Sequence, residues 1–468
     1  MGKDREGRES KDELGARSDM SAGLASRIAE FASRLQWKDL SAGRQNKARW
    51  FLADYVGSTL AGSTLPEAAS GYVLAQPGPV TLPGDARGLS AESAAVAMGT
   101  IGALLQIHDG FGGGGNHPCS TIISALWASR GKRPLTDLLL PAAAGYEVAC
   151  RIAKSSHPAQ TLAGAAPTST TGAIGAATAV GKLLGLDRRT LADAISIAAF
   201  SVPVAAMRGL TEHGSVVPLH GGLAARTALE AVRLARAGLA AGDTVLEGGK
   251  DRGLLQLLQA DLSALAPEEW RGEMIDGVYF KPMPACRHAQ PAIEAVLDIL
   301  SRGFLNFREI GKITVHTYPM ALMFGKPPRA EHELYDRLMS MPWAIASCLV
   351  HGGFGFDNVT APARDPRIEG LYGLIESMVD EKAAAEYPRR FCTRIEVQMK
   401  SGETRAGECR MEYGVASEDG PYSPRGTTTP PLDEAGMHRK FFDLACRRIP
   451  RAEAEALLGE IFEQEAVT

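Results

Sequence analysis

The sequence predicts a mainly α-helical fold with a smaller α+β part, and three observations carry that reading. From residue 22 to residue 265, apolar residues recur at spacings of three and four between Gly or Pro breaks. After Asp276 the pattern changes to a mixture of helical spacing and two-residue alternation. At 468 residues and 45% hydrophobic content, the chain exceeds what one core usually serves and has apolar material for two.

Taken in order, residues 1–20 are rich in Lys, Arg, Asp and Glu, lack the apolar run of a signal peptide, and read as a disordered extension. Residues 21–270 form the expected helical domain. Its Ala-rich runs, such as Leu191 to Phe200 and Ala224 to Leu239, imply helices that approach closely, because small side chains let backbones pack near one another. Residues 271–415 read as an α+β domain acting as a lid: a helix over His288 to Leu300, a strand over Lys312 to Tyr318, and a strand over Arg394 to Met399 entering a hairpin turn at Lys400 to Thr404. A Pro, Gly, Ser and Thr-rich loop follows from about 415 to 432, and Asp433 to Glu465 returns to helical spacing within a C-terminal segment, residues 416–468.

Charge and cysteine usage exclude several partners. A net charge of −4 leaves no basic surface for nucleic acid. Apolar stretches such as Ala173 to Val180 are broken by Gly or Pro before they could span a membrane. Seven cysteines, an odd number with no CxxC pair, fit reduced thiols in the cytoplasm. A small molecule is the expected partner.

Two stretches carry chemistry. Tyr279-Phe280-Lys281-Pro282-Met283-Pro284-Ala285-Cys286-Arg287-His288 sets a lysine, an arginine and a histidine on backbone stiffened by prolines. Arg287 can grip a carboxylate with two parallel hydrogen bonds, and Lys281 offers a point charge or, once desolvated, a base. Upstream, Gln106-Ile107-His108-Asp109-Gly110 precedes four consecutive glycines and Asn116-His117-Pro118. Neither phosphate-binding glycine motif is present, so Gly112–Gly115 reads as a mobile site loop rather than a nucleotide cradle. His108, Asp109 and His117 lack metal-ligand spacing, and no metal is expected.

Those stretches, with Asp54 to Gly62, Gly145-Tyr146-Glu147-Val148, Pro167 to Asp187 and Pro218-Leu219-His220-Gly221-Gly222, resemble the MmgE/PrpD family in order and spacing from Asp54 to about Gly414. The resemblance implies that the C-terminal segment folds back onto the helical domain, making the α+β part an insertion. It also implies a cofactor-free enzyme, a homodimer formed through the helical domain, and a lyase of the dehydratase or decarboxylase type acting next to a carboxylate. Two alternatives stay open: an isomerase or epimerase of a dicarboxylate such as an iminodisuccinate-like compound, and a catalytically impaired member that binds a ligand. Carried over residue by residue, Asp109, His117 and Lys281 become the catalytic candidates, with His117 as base and Asp109 as its orienting partner. Gln106, His108, His220, Arg287 and His288 become the substrate-binding candidates.

Each has a plainer reading. His117 could cap a helix starting near Ser120, Asp109 could form a turn with Gly110, and His220 could be a satisfied core histidine. Lys281 could be a solvated loop charge, Arg287 and His288 could begin the next helix, and Cys286 reads as a packed small residue. The chain also departs from the family. Gln106 and His108 stand at positions acidic in other members, Ala166 precedes Pro167 where a His-Pro is usual, and Val217 stands where a lysine is usual. His157, Arg208, Glu212 and His213 lie close enough in sequence to compensate.

Overall fold

The computed structural model describes residues 22–212, 214–329, 334–361, 364–412, 428–429 and 432–463. The expected extension at 1–20, His213 and most of the loop at 415–432 lie outside the described residues.

The first of two hydrophobic cores is helical. Its centre is the helix Pro167–Leu183, buried without interruption from Pro167 to Gly181. A helix covered on every side must be small, and this one reads Thr-Ser-Thr-Thr-Gly-Ala-Ile-Gly-Ala-Ala. Glycines set its closest approach: a Cβ added at Gly145, on the helix Leu139–Ser156, would lie 2.7 Å from the carbonyl of Gly175. A second close crossing joins the helices Ala91–Ile101 and Leu219–Arg236, where a Cβ at Gly99 would sit 2.4 Å from the Cα of Gly222. Helix starts are fixed by side-chain caps, with Ser41, Ser90, Asp187 and Asp433 each accepting from a backbone N–H of the first turn.

The helices Glu434–Ala445 and Arg451–Phe462 contribute Met437, Phe441, Ala454 and Leu458 to this same core. Lys440 is buried there, with its Nζ 2.5 Å from Asp54 on the helix Ala42–Gly62 and 2.8 Å from the carbonyl of Ile107. Two buried charges persist only when paired and hydrogen-bonded. This pair therefore ties the C-terminal helix to the stretch that opens the candidate site.

The second core lies under a four-stranded sheet in the order Ile375–Val379, Ile310–Thr317, Arg390–Met399, Thr404–Glu412. The first pair is parallel and the other two are antiparallel. Alternation in Thr404–Glu412 turns Gly407, Cys409 and Met411 inward against the helix Gln290–Ser301, and Gly407 meets the carbonyl of Ala295 so closely that no side chain fits. Gly402, at φ +94°, makes the hairpin turn. Among the described residues no helix is long and apolar enough to cross a membrane.

A two-residue antiparallel ladder, Gly110 opposite Tyr279 and Phe111 opposite Val278, joins the two chemistry-bearing stretches. The ion pair of Arg44 with Asp276 and the bond from Lys47 Nζ to the Asp276 carbonyl hold this ladder on the helix Ala42–Gly62.

Candidate active site

The floor of the site is set by an unusual backbone. Gln106 adopts φ +50°, a left-handed conformation uncommon for a residue with a side chain. Its amide donates to the carbonyl of Ala103 at 3.1 Å, and its own carbonyl accepts from Lys281 Nζ at 3.0 Å. Lys281 is fully buried, and burial pulls its pKa down to about 8, with Arg287 pushing the same way.

His117 is held in one tautomer. Its Nδ1 lies 2.6 Å from the carbonyl oxygen of Asp109, which can only accept, so Nδ1 carries the proton and Nε2 keeps its lone pair. Its backbone N–H donates to Thr168 Oγ1 at 3.0 Å. Burial first, and then the charge of Lys281, hold the imidazole well below its usual pKa. The ring of His108 packs against it edge-on at 5.0 Å and is likewise kept neutral by burial.

Asp109 orients His117 through its main-chain carbonyl rather than its carboxylate. The carboxylate is turned away, accepting from Tyr146 OH at 2.7 Å and from the N–H of Cys119 at 3.3 Å, and burial raises its pKa to about 6. The glycines around it allow close packing: a Cβ at Gly110 would strike Tyr279 OH at 2.4 Å, and one at Gly114 would meet Ala153 at 2.5 Å.

Arg287 is buried, with its guanidinium 4.6 Å above the ring of Phe391. His288 stacks on Phe324 at 5.2 Å, and its Nδ1 lies 2.8 Å from Tyr318 OH. His220 turns Nδ1 to the carbonyl of Val217, which fixes its tautomer as in His117.

Gln106, His108, His117, His220, Arg287 and His288 line one cleft of about 820 Å³ counted to its solvent mouth. Asp109 and Lys281 stand behind that wall, fully buried. His157 joins the lining, so five of the ten histidines face one cleft. Ala166 contributes a methyl to it, while Arg208 and Glu212 pair with each other at the exposed surface. Cys286 also lines the cleft, and burial raises its pKa, which keeps it a thiol. Sequence reasoning passed over Tyr387, Tyr335, Phe324, Met320 and Met339, which close the far wall. They sit in no motif and reach the cleft only by folding of the second core. Among the described residues no three His, Cys, Asp or Glu side chains are placed to hold a metal.

The cleft combines a buried arginine, a buried lysine just behind it and neutral imidazoles, an arrangement that attracts an anion and supplies uncharged bases at neutral pH. The MmgE/PrpD N-terminal domain matches residues 26–262 and the MmgE/PrpD C-terminal domain matches residues 283–464. Cis-aconitate decarboxylase of Mus musculus is 24% identical over 370 residues, covering 75% of this chain and 71% of that protein. Cis-aconitate decarboxylase of Homo sapiens is 25% identical over 319 residues, covering 64% of this chain and 63% of its own length. With both family domains matched across the two cores and the cleft between them, the chain belongs to the MmgE/PrpD family.

Proposed function

We propose that the protein is a cofactor-independent lyase of the dehydratase or decarboxylase type, acting on a small carboxylic acid at the carbon next to a carboxylate. The observation that carries this reading is the tautomer of His117: its proton is committed to the Asp109 carbonyl, so Nε2 is a neutral base on the cleft wall.

In the proposed reaction Arg287 holds the substrate carboxylate with its planar fork. Nε2 of His117 takes the proton from the adjacent carbon, and the electron pair moves toward the carboxylate as an enolate-like dianion. Arg287 meets that charge directly and buried Lys281 supports it from behind Gln106; fixed charges in a desolvated site are worth far more than in water. The electron pair then returns to expel hydroxide from the β-carbon, which leaves an unsaturated acid. For decarboxylation, loss of CO₂ replaces removal of the proton: the C–C bond to a carboxylate on the carbon next to the held carboxylate breaks, its electron pair stays there as the same enolate-like charge, and the carbon then takes a proton from water.

The relatives' names support this class, since both are decarboxylases. The test is a panel of β-hydroxy di- and tricarboxylates and their unsaturated counterparts, followed for new C=C absorbance and for CO₂ release. Formation of either product supports the reading. Stereochemical inversion with neither product would move the activity to the isomerase class.

A further inference from the structure

Three polar groups from different parts of the chain, His157, Tyr387 and Arg287, line the cleft, and the base mechanism uses only one of them. His157 follows the helix Leu139–Ser156, and Tyr387 follows the short helix Glu381–Glu386 of the second core. Their rings lie 6.4 Å apart at an interplanar angle of 67°. Both ring nitrogens of His157 and the hydroxyl of Tyr387 are buried from solvent and have no hydrogen-bond partner among the described residues. Leaving three such atoms unsatisfied costs free energy at each, and buried polar groups are almost always paired.

Packing holds these groups on the cleft. Tyr387 stacks on Tyr318 at 4.8 Å with the rings nearly parallel, and it packs edge-on against Phe391, the ring beneath Arg287. Gly115 keeps the ground between His157 and Arg287 open: a Cβ there would lie 3.3 Å from His157 Nδ1 and 3.7 Å from Arg287 Nη2. Gly115 also sits at φ +71°, where a side chain would be strained.

We propose that His157 and Tyr387 complete, with Arg287, a three-donor cradle for the substrate's anchoring carboxylate. This inference rests on the carboxylic-acid reading above and names which groups fix the substrate's orientation. A carboxylate offers four lone-pair sites, enough for the arginine fork, one imidazole N–H and one phenol O–H together. Burial holds the imidazole near pKa 4, so it arrives as a neutral donor that adds direction without adding charge. His157 thus brings an imidazole to the cleft from a position other than 166, where only a methyl stands.

Calorimetric titration with succinate, and with its neutral diamide as control, tests the cradle without requiring turnover. Wild-type protein is expected to bind succinate and not the diamide. His157→Phe and Tyr387→Phe are each expected to weaken succinate about 10-fold, the worth of one hydrogen bond to a charged group. Tyr387→Phe keeps the stacked ring, so it decides the matter if His157→Phe fails to fold by far-ultraviolet circular dichroism. Absence of succinate binding to wild type, or unchanged affinity in Tyr387→Phe, would overturn the cradle. Because binding is read directly, the lyase reading stands or falls on its own product assay.

Discussion

Lys281 donates from Nζ to the main-chain carbonyl of Gln106 at 3.0 Å, across 175 residues of sequence and wholly out of contact with solvent. One bond thereby fixes the left-handed turn that precedes His108 and Asp109 and places a positive charge behind the wall that carries His117. Structure and electrostatics are coupled here.

Lys281→Met is therefore expected to fail in two ways. Turnover should drop about 10²–10³-fold, as when a fixed charge-stabilising group is removed from a site. The orphaned Gln106 carbonyl should also cost roughly 1–3 kcal/mol in urea-denaturation stability. Unchanged turnover in the folded variant would remove Lys281 from the mechanism.

Two departures from the family pattern predict the preference of the cleft. Ala166 lines the cleft with a methyl, and Val217 is buried beside Pro218. A tricarboxylate would bring a third negative group that no cation among these residues meets, and an uncompensated buried charge is costly. Cis-aconitate and 2-methylcitrate are expected to show kcat/KM at least about 100-fold below that of the best dicarboxylate, two lost pairings of about 1.4 kcal/mol each. Equal efficiency on either tricarboxylate would show that other groups have taken over.

Much of this was legible in the sequence, for physical reasons. Helical periodicity over residues 22–265 is strong because one stripe of each helix must be buried, and the alternation at Lys312 to Tyr318 follows from a sheet with one covered face. The strand Ile375–Val379 escaped notice because it is an edge strand whose residues are mostly exposed, so its pattern carries no inward stripe. In the site, Gln106, His108, His117, Arg287 and His288 announced themselves by clustering in sequence. Tyr387 and Phe324 did not, since their position depends on how the second core seats against the first, which no local pattern encodes. The role of Asp109 through its carbonyl, rather than its carboxylate, is likewise a matter of backbone geometry.

The helix crossing at Gly99 and Gly222 gives a stability test remote from chemistry. A methyl at Gly99 would sit 2.4 Å from the Cα of Gly222, so the helices must separate. Gly99→Ala is expected to lower stability by roughly 1–3 kcal/mol in urea denaturation. Wild-type stability would show that the crossing yields freely.

Stability should also fall on mild acidification. His108, His117 and His288 are held well below their usual pKa by burial, His220 is lowered and His157 is brought to about 4. In the unfolded chain each takes a proton near pH 6.5, so their contribution is complete above that value and is lost as pH drops toward the folded pKa values. Asp54, Asp109 and Glu147 are raised by burial, the last two to about 6 and about 7, and act in the opposite sense: their contribution is complete below about pH 4 and is lost as pH rises through the folded values. Five imidazoles outnumber three carboxyls, so Tm is expected to fall between pH 6.5 and 5. A flat or rising Tm over that range would contradict the neutral-histidine cleft.

In the proposed reaction Nε2 of His117 takes a proton from carbon next to a carboxylate. Proton NMR of small di- and tricarboxylic acids incubated with the protein in D₂O tests it most directly. Loss of the α-C–H signal or growth of an unsaturated product is expected for at least one acid, with a slowing of about 10²–10⁴-fold in a folded His117→Asn variant. Acids that raise the melting temperature yet show no exchange, no elimination and no CO₂ release, or exchange that persists unchanged in His117→Asn, would contradict it.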